Sequence, residues 1–213
     1  MNLEELRREY TRARLDETLV ERDPVAQFRQ WMTEARQGGL LEPNAVTLAT
    51  ASRDGEPSAR TVLLKGFGAD GFAFFTDYRS RKASDLAGNP RACLLFHWAE
   101  LERQVRIRGT VVRLSRQLSE EYFLSRPLGS QLGAWASYQS AVLEGGRAQL
   151  EERLQEMSDR FAGAPVPCPP HWGGYRLEPE AFEFWQGREN RLHDRISYLR
   201  EAGGAWSIVR LSP

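Results

Sequence analysis

The chain has 213 residues, with 29 Lys+Arg against 29 Asp+Glu and 41% hydrophobic residues. This is enough chain for one domain with a sizeable core, and its balanced charge speaks against a dedicated nucleic-acid binder, which carries a basic surplus. No apolar run approaches the roughly 20 residues of a membrane helix, so no membrane partner is expected. The charged opening Met1-Asn2-Leu3-Glu4-Glu5-Leu6-Arg7-Arg8 does not read as a secretory leader. The cytoplasm is the expected address. Cys93 and Cys168 are far apart and lack ligand spacing, so neither a disulfide framework nor a metal site is expected. Of the 29 basic residues only Lys65 and Lys82 are lysines. In so arginine-rich a chain, the surviving lysines point to places where a compact ammonium fits and a planar guanidinium does not.

Residues 1–40 read as a helical segment of the same single domain. An amphipathic helix is expected from Leu3 to Arg14. Asp23-Pro24 opens a second, from Val25 to Arg36, which Gly38-Gly39 ends. Residues 41–213 then turn to strands: Val46–Thr50, an Asp54-Gly55 turn, Ala59–Lys65 and Phe72–Thr76. A short helix, Ser80–Ala87, stops at Gly88-Asn89-Pro90, and strands resume with Ala92–Trp98 and Gln104–Leu114. Ser119 is the expected N-cap of a helix running to Arg126, with Tyr122 and Arg126 on one face. A Gly/Ser-rich stretch leads to Gln139-Ser140, an amphipathic helix covers Arg147–Phe161, and Pro165–Pro170 is a stiff connector. Closing strands are expected at Tyr175–Leu177 with Phe182–Trp185, at Arg191–Leu199 and at Trp206–Leu211. The pattern predicts a mainly β, α+β protein: a β-barrel with peripheral helices.

Some signals are set aside. Gly66-Phe67-Gly68-Ala69-Asp70-Gly71 has the letters of a dinucleotide fingerprint but runs into a strand, so it reads as a hairpin connection. His97 and His171 lack a partner at ligand spacing, and His97 reads as a core or rim residue. No Gly-x-Ser-x-Gly elbow is present. In Arg103-Gln104-Val105-Arg106-Ile107-Arg108 the arginines read as a solvated strand side, and Gln104 alone stands out.

The segment from Phe182 to Arg195 carries the most. It reads as two strands around a Gly187 turn, with the period of two placing Arg191, His193 and Arg195 on one face. Such a crowd of cations invites an anionic ligand.

With these residues together, the chain resembles the pyridoxine/pyridoxamine 5′-phosphate oxidase family over nearly its whole length. The motifs are Leu6-Arg7-Arg8-Glu9-Tyr10, Arg60-Thr61-Val62-Leu63-Leu64-Lys65, Ser80-Arg81-Lys82-Ala83 and Leu101-Glu102-Arg103-Gln104-Val105, followed by Tyr122-Phe123-Leu124-Ser125-Arg126-Pro127, Gln139-Ser140 and the terminal hairpin. The resemblance implies an FMN-binding split β-barrel that forms a homodimer through its C-terminal hairpin, with flavin sites at the interface. It implies FMN contacts at Arg60, Thr61, Val62, Leu63, Leu64, Lys65, Phe75, Thr76, Arg81, Lys82, Gln104, Gln139, Ser140, Trp185 and Arg195. For the substrate phosphate it implies Lys65, Tyr122, Arg126 and Ser130. For the substrate ring it implies Arg191, Leu192 and His193, with Arg191 and His193 catalytic. Arg7, Arg8, Glu9 and Tyr10 match a segment that can fold over the substrate. Phe75 stands where many members have tyrosine, and the turn residue Arg188 adds a positive charge to which the resemblance assigns no role.

The implied reaction oxidises pyridoxamine or pyridoxine 5′-phosphate at the 4′ carbon to pyridoxal 5′-phosphate, with dioxygen reduced to hydrogen peroxide. The alternatives are a flavin oxidase of the same fold acting on a non-phosphorylated ring, as in phenazine pathways, and a flavin or pyridoxal-phosphate carrier without turnover.

Overall fold

The computed structural model describes residues 9–213. Helix α1 (Pro24–Gln37) starts where expected: Asp23 accepts the amide of Val25 through its side chain, with Pro24 at the first helical position. Its buried residues, among them Val25, Phe28, Trp31, Met32 and Ala35, follow the helical period. Phe28 is wholly buried, with ring centroids 4.9 Å from Phe67, 5.1 Å from Phe72 and 5.0 Å from Phe96. Trp31 packs edge-on to Phe184 at 5.2 Å. The helix thus covers the sheet's apolar face.

That sheet is antiparallel throughout. Its strands are β1 (Ala45–Ala51), β2 (Pro57–Leu63), β3 (Gly66–Gly68), β4 (Gly71–Asp77), β5 (Arg91–Trp98), β6 (Arg103–Arg113), β7 (Trp172–Gln186), β8 (Asp194–Arg200) and β9 (Trp206–Arg210). The order is β2-β1-β5-β6-β7-β4-β3, with β8 paired to β7 and β9 to β8. Helix α2 (Arg81–Gly88) joins β4 to β5, and α3 (Arg116–Leu124), α4 (Leu128–Ala136) and α5 (Gly146–Arg160) lie between β6 and β7. The glycine run 66–71 is the β3–β4 hairpin, with Gly68 paired to Gly71.

One face of the sheet is the core, formed by Val46, Leu48, Leu94, Phe96, Val105, Ile107, Phe182, Phe184, Ile196 and Tyr198. The period of two sends Thr47, Thr61, Leu63, Leu95, Gln104, Trp185 and Arg195 to the other face, where each is only half-buried or exposed. The expected break between the two parts of β7 is a register shift instead. Pro179, which has no amide to donate, sits opposite Gly109 at an irregularity between Arg108 and Gly109. A Cβ on Gly109 would lie 1.9 Å from the Glu178 carbonyl oxygen, so only glycine lets the strands close there.

Five expectations need correction. Residues 9–14, the described part of the first expected helix, are not helical; Met1–Arg8 lie outside the described residues. Ser115, not Ser119, caps α3, accepting the Leu118 amide at 3.2 Å. Ser119 is buried in the first turn and accepts the Gly174 amide at 3.1 Å. Helix α3 stops at Leu124 because Pro127 disfavours helical backbone at Arg126. The Gly/Ser-rich stretch is helix α4, whose packing on α5 overrides the weak propensity of Gly129 and Gly133. Finally, no strand runs through Arg191–His193; β8 begins at Asp194.

Candidate active site

A cavity of about 970 Å³ opens between β2, β4, α2 and the α3–α4 turn. It gathers Arg60, Thr61, Val62, Leu63, Lys65, Phe75, Thr76, Arg81, Lys82, Tyr122, Arg126, Ser130, Gln139 and Ser140, which are sequence-predicted residues from five separate motifs. Leu64 differs: strand alternation turns its side chain into the core, where it is 5% exposed.

The cations are held by an anion that the sequence did not reveal. Asp85, buried on α2, accepts Thr50 Oγ1 at 2.7 Å and Arg81 Nε at 3.2 Å, with Arg60 Nη2 3.7 Å away. Arg60 also donates to Thr50 Oγ1 at 2.6 Å and to the Leu48 carbonyl at 3.2 Å. Lys82 is buried, and its Nζ donates to Thr76 Oγ1 at 3.1 Å and Gln139 Oε1 at 3.0 Å. Burial pulls the Lys82 pKa below the ordinary lysine value, and Arg60 pulls the same way while Asp77 opposes it. Burial likewise lowers Arg60, though a guanidinium stays charged. Ser140, in left-handed backbone at φ 73°, accepts the Arg81 amide at 3.2 Å, so the 139–140 loop is tied to the start of α2.

An aromatic wall flanks this cluster. Phe75 stacks on Tyr122 at 4.1 Å and on Trp172 at 5.4 Å, and the Arg126 guanidinium lies 4.6 Å from the Trp172 ring centroid. Gln131 Nε2 holds the turn that presents Arg126, donating to the carbonyls of Leu124 at 3.2 Å and Arg126 at 2.9 Å. Arg126 Nη1 is buried without a hydrogen-bond partner, and burial lowers the group's pKa. An orphaned guanidinium nitrogen calls for an acceptor. Trp172 was missed in the sequence; its signal is the following Gly173-Gly174, where a Cβ would collide with Tyr78 and with Leu114 and Phe75.

The remaining predicted residues form a second cluster. Gln104, Trp185 and Arg195 are directly paired across β6, β7 and β8 and share the half-exposed face. Along β7, Trp185 lies eleven residues beyond Gly174, the partner of the cavity residue Phe75, roughly 36 Å of strand at about 3.3 Å per residue. One chain therefore keeps these residues apart from the cavity. Tyr10 packs on the Trp185 ring at 5.8 Å and the His193 ring at 5.7 Å, and Trp185 lies 4.6 Å from His193. A Cβ on Gly187 would fall 2.7 Å from the Tyr10 ring, so the bare glycine admits it. Glu9 is exposed, and Arg7 and Arg8 lie outside the described residues.

The expected cationic strand face at 191–195 does not form. Glu189–Arg191 make a 3-10 turn, with Asn190 at φ 54° and Arg191 at φ 60°. Helical backbone cannot alternate side chains as a strand does. Left-handed backbone costs a residue such as arginine about 1–2 kcal/mol, and it leaves Arg191 and Leu192 exposed. Arg195 instead donates to Glu183 at 2.9 Å and to the Ser212 carbonyl at 2.7 Å.

Residues 32–160 match the family model described as pyridoxamine 5′-phosphate oxidase, and residues 172–213 match the pyridoxine 5′-phosphate oxidase C-terminal dimerisation region. A pyridoxine/pyridoxamine 5′-phosphate oxidase of Rubrobacter xylanophilus is 60% identical over 208 residues, covering 98% of this chain and 95% of its own. One from Cupriavidus necator is 58% identical, covering 99% of both chains. The solved structure of PhzG from Burkholderia lata 383, in complex with tetrahydrophenazine-1-carboxylic acid, superposes with a TM-score of 0.89. It is 30% identical, over 96% of this chain and all of that one. An FMN-binding protein of Nostoc punctiforme shares the fold, at TM-score 0.72 and 21% identity over 87% of this chain and 97% of its own.

Proposed function

This chain is an enzyme of the pyridoxine/pyridoxamine 5′-phosphate oxidase family, with the FMN-binding split-barrel fold and FMN as its cofactor, and on that premise we propose that it oxidises pyridoxamine and pyridoxine 5′-phosphates to pyridoxal 5′-phosphate. Bound FMN would supply the two-electron chemistry, with dioxygen the final acceptor and hydrogen peroxide its product. The protein's part is orientation and charge. The observation that carries the reading is one cavity holding two sets of phosphate donors on a shared aromatic wall.

Arg60, Arg81 and Lys82 suit the cofactor phosphate: Arg60 and Arg81 are fixed by Asp85, and Lys82 by Thr76 and Gln139. Thr61 to Lys65, Phe75, Thr76, Gln139 and Ser140 flank the flavin. Lys65, Tyr122, Arg126 and Ser130 take the vitamer phosphate, and the orphaned Arg126 Nη1 is the donor still in want of an acceptor. Phe75 offers a ring without a hydroxyl and acts by stacking.

A second copy of the chain supplies the rest. The half-exposed sheet face carries Gln104, Trp185 and Arg195 far from their own cavity, and an isologous two-fold pairing lets each copy complete the other's site. Arg191 polarises and positions the substrate ring with Leu192 and His193, and the motif from Arg7 to Tyr10 is assigned to the same substrate. Residues 1–40 and 41–213 act as one unit, with the last hairpin as the dimerisation element. We place the enzyme in the cytoplasm; among the described residues no helix is long and apolar enough to cross a membrane.

The test is incubation of FMN-loaded protein under air with pyridoxamine phosphate, pyridoxine phosphate and unphosphorylated pyridoxamine, following aldehyde and peroxide. Rapid turnover of the phosphorylated pair alone is expected. The likeness to PhzG supports a second reading, a non-phosphorylated polycyclic substrate. Oxidation of such a ring with neither phosphate ester consumed would replace our proposal with it.

A further inference from the structure

Arg188, a turn residue that the functional reading leaves unused, contacts the ring of His193 through its backbone. The Arg188 backbone N–H donates to His193 Nδ1 at 3.1 Å. Its side chain reaches over the loop to Asp194, with Nη1 3.4 Å from Oδ2. Asp194 is itself fixed, accepting the Leu15 amide on Oδ2 at 3.0 Å and Arg210 Nη1 on Oδ1 at 2.8 Å. The loop from Gly187 to His193 is further pinned by the Leu192 amide on the Glu189 carbonyl at 3.0 Å and by the Gly187 amide on the Glu102 carbonyl at 2.7 Å.

A neutral imidazole has one N–H and one in-plane lone pair. With the Nδ1 lone pair engaged by an amide, the proton must be on Nε2. We propose that Arg188 is a positioning residue that locks His193 as the Nε2–H tautomer, so that the ring meets the substrate as a hydrogen-bond donor and not as a base. To take up a proton the ring would have to accept it on Nδ1 and surrender the Arg188 amide. The surroundings also disfavour a second proton: burial beside Tyr10 and Trp185 desolvates the ring, Arg191 repels the charge and Asp194 opposes these two effects. The proton released at the substrate's 4′ group therefore leaves by another route.

The tautomer rests on the loop geometry; its role toward a substrate rests on the proposed function, and the test separates the two. The chain has three histidines, so the His193 ring signals are assigned in long-range proton–nitrogen spectra of the ¹⁵N-labelled, FMN-loaded protein by their loss in His193→Gln. At about pH 7.5 a protonated Nε2 and an unprotonated Nδ1 are expected. Protonation on Nδ1, or on both nitrogens, overturns the proposal whether or not the enzyme turns over. Arg188→Ala keeps the amide but loses the tie to Asp194. It is expected to mix the two tautomers and lower kcat about tenfold with KM within about twofold, and Arg188→Lys to restore the single form. An Arg188→Ala protein with the wild-type ring spectrum overturns the positioning role. Wild-type protein that shows the expected tautomer yet oxidises neither vitamer phosphate sinks the function and leaves the tautomer standing.

Discussion

The cavity and the terminal hairpin solve opposite problems. The cavity is cationic and tied together, with Arg60 of β2 and Arg81 of α2 on the buried Asp85 and Lys82 on Thr76 of β4. The hairpin end is aromatic and looped, with two residues in left-handed backbone and exposed tips at Arg191 and Leu192. Phosphates are best held by fixed charge, whereas a reacting ring needs groups that can close on it. On the proposed function the fold builds each kind of site where the sheet permits it, and one chain keeps the two apart. In the proposed dimer, pairing two copies is the step that unites them.

The sharpest way to break this comparison is complementation. Lys82→Met and Arg191→Ala homodimers should each be nearly inactive, since one lacks the cavity and the other the hairpin group. Random mixing of the two should restore about one quarter of wild-type activity, because half the dimers are mixed and each has one intact site. Mixtures as inactive as their parents would refute the shared site.

Within the cavity, Arg126→Ala should raise KM for pyridoxamine phosphate about 10- to 100-fold, the effect of losing a charged hydrogen bond, while unphosphorylated pyridoxamine is unaffected. Steady-state kinetics on both substrates decides this. At the hairpin, Gly187→Ala should displace Tyr10, whose ring atoms stand 2.7 Å from the new Cβ position. A fall in kcat/KM of about threefold to tenfold is expected, with FMN affinity, measured by fluorescence, unchanged.

The smallest effect concerns charge. Burial first, and Arg191 second, hold His193 below the ordinary histidine value of 6.5. The contribution of the neutral ring to stability is then fully present above pH 6.5 and is lost as the pH falls to the lowered folded value. In Arg191→Gln the His193 titration, followed by NMR, should move up but stay below 6.5, because burial remains.

Much of this architecture was legible beforehand for physical reasons. Asp23-Pro24, the alternation in 45–51 and the Gly66–Gly71 hairpin are local signals, and they produced α1, β1 and the β3–β4 turn as expected. What stayed hidden depends on partners distant in the chain. Asp85 looks like any helix-surface acid until Thr50 and Arg60 close on it from neighbouring strands. Helix α4 was invisible because its glycines weaken it and α5 stabilises it. The Arg191-Leu192-His193 alternation misled because a 3-10 turn can carry the same letters as a strand.

The scarcity of lysine has a chemical corollary. An aldehyde product condenses with primary amines, not with guanidinium groups, which stay charged and are poor nucleophiles. The chain offers only Lys65 and Lys82 as side-chain amines, and both line the cavity, with Lys82 buried. The proposed aldehyde product would thus meet a surface of arginines. Reductive trapping of bound product should label Lys65 almost alone, giving a covalent marker of the site from the chain's own composition.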